Sequence, residues 1–179
     1  MQKLLSEKKL RKIVGRLKEE NKKIVLTLGS WDMLHVGHMR YIQQAKKCGD
    51  FLIVGVDSDR KIKERKGNDR PIVPQNERIE MLSHINHIDG IYLIDLTDTS
   101  ISIAEIIKPD ILVVSKTSQN KSNEKNLKKN CGDIIILPAQ AETSTTAKIR
   151  KLHIDGMKKM YAAINKEILN IIKREIENI

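Results

Sequence analysis

The chain has 179 residues and carries 33 Lys plus Arg against 23 Asp plus Glu, a net charge of +10. One domain with a sizeable core fits that length, and with one Trp, one Phe and three Tyr the core must be mostly Ile, Leu and Val. The lysines are not interleaved with aromatics that could stack bases, which argues against nucleic acid. No apolar run approaches membrane-spanning length.

The opening MQKLLSEKKLRK lacks the apolar segment of a signal peptide, and Cys48 and Cys131 are unpatterned. Free thiols and a cytoplasmic location are the expectation. From Leu4 to Glu20, Leu10, Ile13, Val14 and Leu17 share a helical face. Ile24 to Leu28 reads as a buried strand, followed by a helix from Val36 to Lys47 that stops at Gly49-Asp50. Phe51 to Val56 is apolar without alternation, as in a parallel sheet covered on both faces. The charged stretch Asp57 to Asn68 begins as a short helix, and Gln75 and Asn76 open another from Pro74 to Ser83. Ile91 to Leu96 is a third strand, and Ser102 to Ile107 a helix stopped by Pro109. Ile111 to Val114 and Ile134 to Leu137 are the fourth and fifth strands, the last stopped by Pro138.

Strands alternating with helices imply an α/β fold with a doubly wound parallel sheet. Right-handed crossovers place the strand C-termini, and with them the site, on one edge. Ser115 to Asn130 is polar and Lys-rich and hangs over that edge, as a lid or as a flexible loop. In the last segment, Ile149 to Ile179, residues Ile154, Met157, Tyr161, Ile164, Ile168 and Ile171 alternate at three and four. Ile172 and Ile176 widen this stripe. The expectation is one α/β domain over 1–152 and a C-terminal helical extension over 153–179. That extension packs on its own sheet or on a second copy, and a homodimer is expected.

The chemistry concentrates in LTLGSWDMLHVGH, Leu26 to His38. A strand running through Gly29 into a helix gathers backbone N–H groups and the positive end of a helix dipole, which suits phosphate. His35 and His38, three apart, are expected on one helical face, with Gly37 between them leaving room for close approach. Imidazoles there can donate to charge developing on phosphoryl oxygens. The positive net charge is either a solvated Lys-rich surface or an attraction for anionic substrates.

GSWDMLHVGHMRYIQQAK resembles the first signature of the cytidylyltransferase-like nucleotidyltransferases, whose hallmark is H-x-G-H. DFLIVGVDSD, RKGNDRPIVPQNERIEML and TSTTAKIR follow in the matching order, so the resemblance covers roughly Lys9 to Leu152. Among these proteins the chain is most similar to the heptose 1-phosphate adenylyltransferases, the ADP-heptose synthase domains. The resemblance implies a Rossmann-like nucleotidyltransferase fold and transfer of AMP from ATP to a sugar 1-phosphate, with Mg²⁺ brought in on the triphosphate. It makes His35, His38 and Lys66 catalytic. It places Leu28, Gly29, Ser30, Trp31, Gly37 and His38 around the nucleotide, and Ser144, Thr145 and Thr146 on its β- and γ-phosphates. It puts Asp32, Arg70 and Arg78 on the acceptor. An acid at the position of Asp32 also suits a helix start, the hydroxyls of Ser144 to Thr146 also suit an N-cap, and Lys66, Arg70 and Arg78 also suit a solvated surface. An Arg fork matches phosphate geometry better than a Lys does.

The chain departs from the family where Val114-Ser115-Lys116-Thr117-Ser118 replaces a common Gly-Gly-Asp element, and where Trp31 replaces a usual Phe. A cytidylyltransferase using CTP and a polyol or amino-alcohol phosphate is the near alternative. A nucleotide-binding protein without turnover is the distant one. His84, His87 and Cys48 lack the spacing of a zinc site, and no G-x-S-x-G elbow is present.

Overall fold

The computed structural model describes residues 3–116, 126–141 and 145–177. Two compact units emerge, Met1–Glu142 and Thr143–Ile179. In the first, five strands form one parallel sheet: β1 (Ile24–Gly29), β2 (Phe51–Asp57), β3 (Gly90–Ile94), β4 (Ile111–Ser115) and β5 (Asp133–Leu137). Their order is β3-β2-β1-β4-β5. Ile24 pairs with Phe51 and Gly29 with Val56 on one side of β1, and Val25 pairs with Ile111 on the other. The chain therefore winds outward through β2 and β3, then returns to the far side of β1 for β4. Between β1 and β4 the winding reverses, and ligands of such sheets bind at the strand C-termini beside that reversal.

The connecting helices are α1 (Glu7–Glu19), α2 (Val36–Lys46), α3 (Asp59–Lys66), α4 (Gln75–Ser83) and α5 (Ser100–Ile107). Ser6, Ser58 and Thr99 cap α1, α3 and α5 by accepting from the backbone N–H three residues on, which satisfies donors a helix start otherwise leaves orphaned. Alternation along the strands sorts the core into two layers. Val25, Leu52, Val54 and Val113 face Tyr41, Ile42 and Ala45 of α2 and Ile79 and Leu82 of α4. Ile24, Leu26, Ile53 and Leu112 face Leu10, Val14 and Leu17 of α1 and Ile103 and Ile107 of α5. Each fully buried aliphatic side chain contributes roughly 1.5–3 kcal/mol by leaving water.

At the opposite end from the site, carboxylates tie down the strand starts. Asp110 Oδ2 accepts from Ile24 N at 2.7 Å, and Asp89 Oδ2 from Leu52 N at 2.7 Å. Ahead of α1, the chain pairs with the outer edge of β3: Leu5 N donates to Ile91 O and Ile91 N to Lys3 O, both at 2.8 Å. The apolar pattern of α1 holds from Glu7, since the first residues are in this edge pairing instead.

The second unit consists of α6, Thr145–Glu177, one helix of 33 residues. It starts four residues before Ile149, where the sequence pattern placed its beginning, and its side chains from Lys151 to Asn170 are exposed. No described helix is long and apolar enough to cross a membrane.

Candidate active site

His35 is not on α2 but at its N-cap, with φ −143° and ψ 172°. Its Nδ1 accepts from Gly37 N at 3.1 Å, and His38 Nδ1 accepts from His35 N at 3.3 Å. The two imidazoles therefore satisfy backbone donors that a serine or aspartate cap satisfies in other helices. An Nδ1 that accepts carries no proton, so the neutral ring holds its proton on Nε2. The ring centroids lie 4.1 Å apart. A Cβ on Gly37 would stand 2.8 Å from His35 Cε1 and 2.9 Å from Ala141 Cβ. The space left by this glycine is filled by the protein's own imidazole.

Trp31 is the wall behind this pair. It is 5% exposed, and its Nε1 donates to Gly55 O at 2.9 Å. Its ring lies 5.7 Å from that of His38 and 6.0 Å from that of Tyr41. A Cβ on Gly29 would meet the indole at 3.1 Å, so the ring crosses the strand end closely. Tyr41 anchors α2 to the sheet: its hydroxyl lies 2.8 Å from Thr27 Oγ1 and donates to Val113 O at 2.9 Å. Burial pushes the Tyr41 phenol up to about 12, against the lowering effect of the Thr27 hydrogen bond. These contacts hold the histidine helix at the β1–β4 reversal.

Trp31 and Met33 both have left-handed backbone, φ 54° and 49°, a conformation disfavoured for bulky side chains. Between them Asp32, 3% exposed, holds the turn. Its Oδ1 accepts from Val73 N at 2.9 Å, its Oδ2 from Ile72 N at 3.1 Å, and Arg70 Nη2 pairs with it at 2.8 Å. Asp32 is thus no helix cap; it latches the Arg70–Val73 segment against the β1 turn. Arg70 itself is mostly enclosed, and its Nε is buried without a hydrogen-bond partner among the described residues.

Arg78, expected beside the acceptor, lies 1% exposed inside the unit. Its Nε donates to Val73 O at 3.0 Å, its Nη1 to Ser30 O, and its Nη2 to Asp57 O and Asp59 Oδ1, both at 2.8 Å. One guanidinium therefore joins the β1 turn, the end of β2, the start of α3 and the Arg70–Val73 segment. This excludes a solvated surface charge, because burial leaves every one of these donors on protein.

Lys66 ends α3 and is exposed. Partial desolvation lowers its pKa, and repulsion from Arg65 and Arg70 adds to this, against attraction from Asp57 and Asp32. Two residues the sequence reading passed over join this cluster. Asp57 is 4% exposed at the C-terminal end of β2, and Arg65 Nη2 reaches both its Oδ2 and Ser30 Oγ at 2.8 Å. The signal was present in DFLIVGVDSD, where an acid ends an apolar parallel strand.

Around the β1 turn the structure thus gathers Leu28, Gly29, Ser30, Trp31, Asp32, His35, Gly37, His38, Lys66, Arg70 and Arg78. Ser144 lies outside the described residues, as do the side chains of Thr145 and Thr146 and most of the Lys-rich stretch 115–130.

A parallel sheet with a paired-histidine helix cap at its winding reversal, faced by lysine and arginine, defines a nucleotidyltransferase domain. The Cytidylyltransferase-like sequence family matches residues 26–162. The chain belongs to this cytidylyltransferase-like family. It is 46% identical over 97 residues to a Bifunctional protein HldE of Nitratiruptor sp., covering 54% of this chain and 21% of that protein. It is 34% identical over 153 residues to a Bifunctional protein HldE of Koribacter versatilis, covering 84% of this chain and 31% of that protein. The chain thus spans between a fifth and a third of these relatives' length. A crystal structure titled lipopolysaccharide core biosynthesis protein, from Thermoplasma volcanium GSS1, aligns at TM-score 0.54 and 27% identity over 69% of this chain and 99% of that one. The pantoate–β-alanine ligase of Francisella tularensis aligns at TM-score 0.58 over 79% of this chain and 68% of that one, and at 18% identity it shares the fold alone.

Proposed function

We propose that this domain transfers AMP from ATP to a sugar 1-phosphate and releases pyrophosphate. An oxygen of the acceptor phosphate attacks the α-phosphorus, the bond to the oxygen bridging to the β-phosphate breaks, and that oxygen leaves on pyrophosphate with the electron pair. Such transfer is governed by alignment and charge stabilisation. The observation that carries the reading is the imidazole pair at the head of α2, with Nδ1 of each ring accepting a backbone N–H. Imidazole N–H donors can stabilise charge developing on the α-phosphate. Ser30, Gly29, Leu28 and Trp31 shape the nucleotide side, and Ser144, Thr145 and Thr146 are assigned to the β- and γ-phosphates. Lys66 and Arg70 answer the acceptor phosphate, and Asp32 and Arg78 act on it by holding the loop that carries Arg70.

The similarity to a lipopolysaccharide core biosynthesis protein and to HldE proteins supports a sugar acceptor. A panel of ATP, CTP, GTP and UTP against hexose and heptose 1-phosphates, glycerol 3-phosphate and phosphocholine, read as pyrophosphate release, tests this. Turnover confined to CTP with an alcohol phosphate would replace the reading by a cytidylyltransferase. No release with any pair would leave a nucleotide-binding protein. A cytoplasmic setting follows from the substrates proposed.

Magnesium enters this proposal on the triphosphate. Among the described residues no three His, Cys, Asp or Glu side chains gather as a cage, and Mg²⁺ commonly keeps its waters and is held by substrate phosphates. Bound there, it would neutralise triphosphate charge. Pyrophosphate release is therefore expected to fall to background in excess chelator and to return when Mg²⁺ is restored. Turnover undiminished by chelator would overturn this.

We further propose that α6 joins two copies of the chain. Ile154, Met157, Tyr161, Ile164 and Ile168 are between 46% and 58% exposed along the helix, while Lys159 and Lys166 fall on the opposite side. Apolar seam and lysine back are the arrangement of a self-associating helix. Twice the chain mass is expected in solution, falling to one chain in Ile164→Lys with Ile168→Lys while the domain stays folded. A monomeric wild type at micromolar concentration would instead place the stripe on its own domain.

A further inference from the structure

Beside the histidine cap the first unit leaves an apolar groove of about 340 Å³. Leu34, His35, Val36 and Met39 form one wall, and Met81 on α4 with Ile85 just past that helix form the other. Val36 is 55% exposed and Met81 47%. Covering such side chains is favourable because it takes apolar surface out of water. Phosphates and sugar hydroxyls gain nothing from walls of this kind, since burial there strips them of water without replacing its hydrogen bonds.

Shape favours a helix ridge. Side chains three or four residues apart on a helix stand about 5–6 Å from one another and pack as a row into a groove. The chain carries such a row: Ile154, Met157, Tyr161, Ile164 and Ile168 lie exposed along α6. Charge agrees with shape. Glu77 stands one turn before Met81 on the same face of α4, Glu80 is next to Met81, and both acids are exposed. On α6, Lys151 and Lys158 are seven residues apart and run along one margin of the stripe, also exposed. An acidic rim on the groove thus answers a basic margin on the ridge.

We propose that the α6 stripe of one copy seats in the α2–α4 groove of a second copy, beside His35. This pairing rests on the reading that α6 joins two copies, and it identifies the surface that the stripe meets. Two-fold symmetry makes the contact twice, with each copy giving a helix and receiving one. Because His35 lines the groove, each helix borders the other copy's histidine pair, and that flank of the site is closed by the partner.

Sedimentation velocity of the full chain and its variants tests this without reference to turnover. Wild type is expected at twice the chain mass. Val36→Lys with Met81→Lys changes only exposed groove side chains and is expected at one chain mass, with the circular dichroism of the wild type. Ile164→Lys with Ile168→Lys is expected at one chain mass as well. Mixed in equal amounts, the two variants should regain a two-chain species, because the helix of the first and the groove of the second are intact. That species should dissociate more readily than wild type, since one contact of two is left. A groove variant that stays dimeric while the stripe variant is monomeric would overturn the proposal and leave α6 paired with α6. A mixture that stays monomeric at every concentration reached would overturn it too. A monomeric wild type would end this pairing and the α6 reading together. Should the groove variant fail to fold, Glu77→Lys with Glu80→Lys takes its place. It is expected to weaken the dimer about 3- to 10-fold, the effect of losing two exposed ion pairs, and adding Lys151→Glu with Lys158→Glu to the same chain should restore it. Unchanged dimer affinity in the first of these, or no recovery in the second, would count against the pairing in the same way.

Discussion

Replacing His38 by alanine is expected to lower kcat by about 100-fold or more, the loss seen when one donor to developing charge is removed. The triphosphate KM should change much less, because the interaction strengthens as charge builds on the α-phosphate. His38 also caps its own helix by accepting from His35 N, so alanine removes two functions together. Two further variants separate them. Asparagine can place an oxygen near the position of Nδ1, keeping the cap but not the outer donor. Glutamine can place an amide N–H near the position of Nε2, keeping the donor but not the cap. The expected order of kcat is wild type, glutamine, then asparagine and alanine together, with asparagine melting close to wild type. Near-normal turnover in the alanine variant would sink the mechanism.

Arg78→Met is expected to destabilise the domain by about 3–5 kcal/mol, the range for breaking a buried ionic contact by removing one partner. Methionine matches much of the arginine stem but supplies no donor. Ser30 O, Asp57 O and Val73 O would lose partners in the interior and Asp59 would lose its counter-charge. For a chain of this size each kcal/mol shifts the melting temperature by about 2–4 °C, so a fall of roughly 6–20 °C is expected. Arg78→Lys should recover little, since one ammonium cannot reach four acceptors spread around a planar fork. A melting temperature within about 2 °C of wild type, with a raised acceptor KM, would return Arg78 to direct substrate contact. The present geometry makes it a strut under the site.

The strands were legible because a parallel sheet covered on both faces needs unbroken apolar runs, and such runs have few other uses in a chain this poor in aromatics. Their ends were less so. Gly29, Asp57 and Ser115 continue the ladder past the last apolar residue, because backbone pairing does not depend on side-chain polarity. Ile91 to Leu96 overran in the other direction: β3 ends at Ile94, and Asp95 begins a turn. The histidine pair was visible in sequence as H-x-G-H, but not as a helix cap, since imidazole is an unusual capping group and the choice of Nδ1 is made by backbone geometry. Arg78 was least legible. Within QNERIEMLS it has the look of a surface charge, and its burial depends on acceptors from segments five to 48 residues away. The pairing of Lys3 to Leu5 with β3 spans too few residues to carry a period.

That short pairing has a practical consequence for how the domain can be joined to other things. It caps an outer strand whose free N–H and C=O groups would otherwise invite pairing with a stranger. It also fixes where the polypeptide enters. Lys3 runs parallel to β3 beside Ile91, so the entry point lies at the end where the strands begin, whereas the histidine cap lies where they finish. A tether, label or second module attached ahead of Lys3 would emerge from the back of the sheet, clear of the substrates. Shortening the chain past Leu5 would do the reverse of what trimming usually intends, and expose a sticky border in place of a tail.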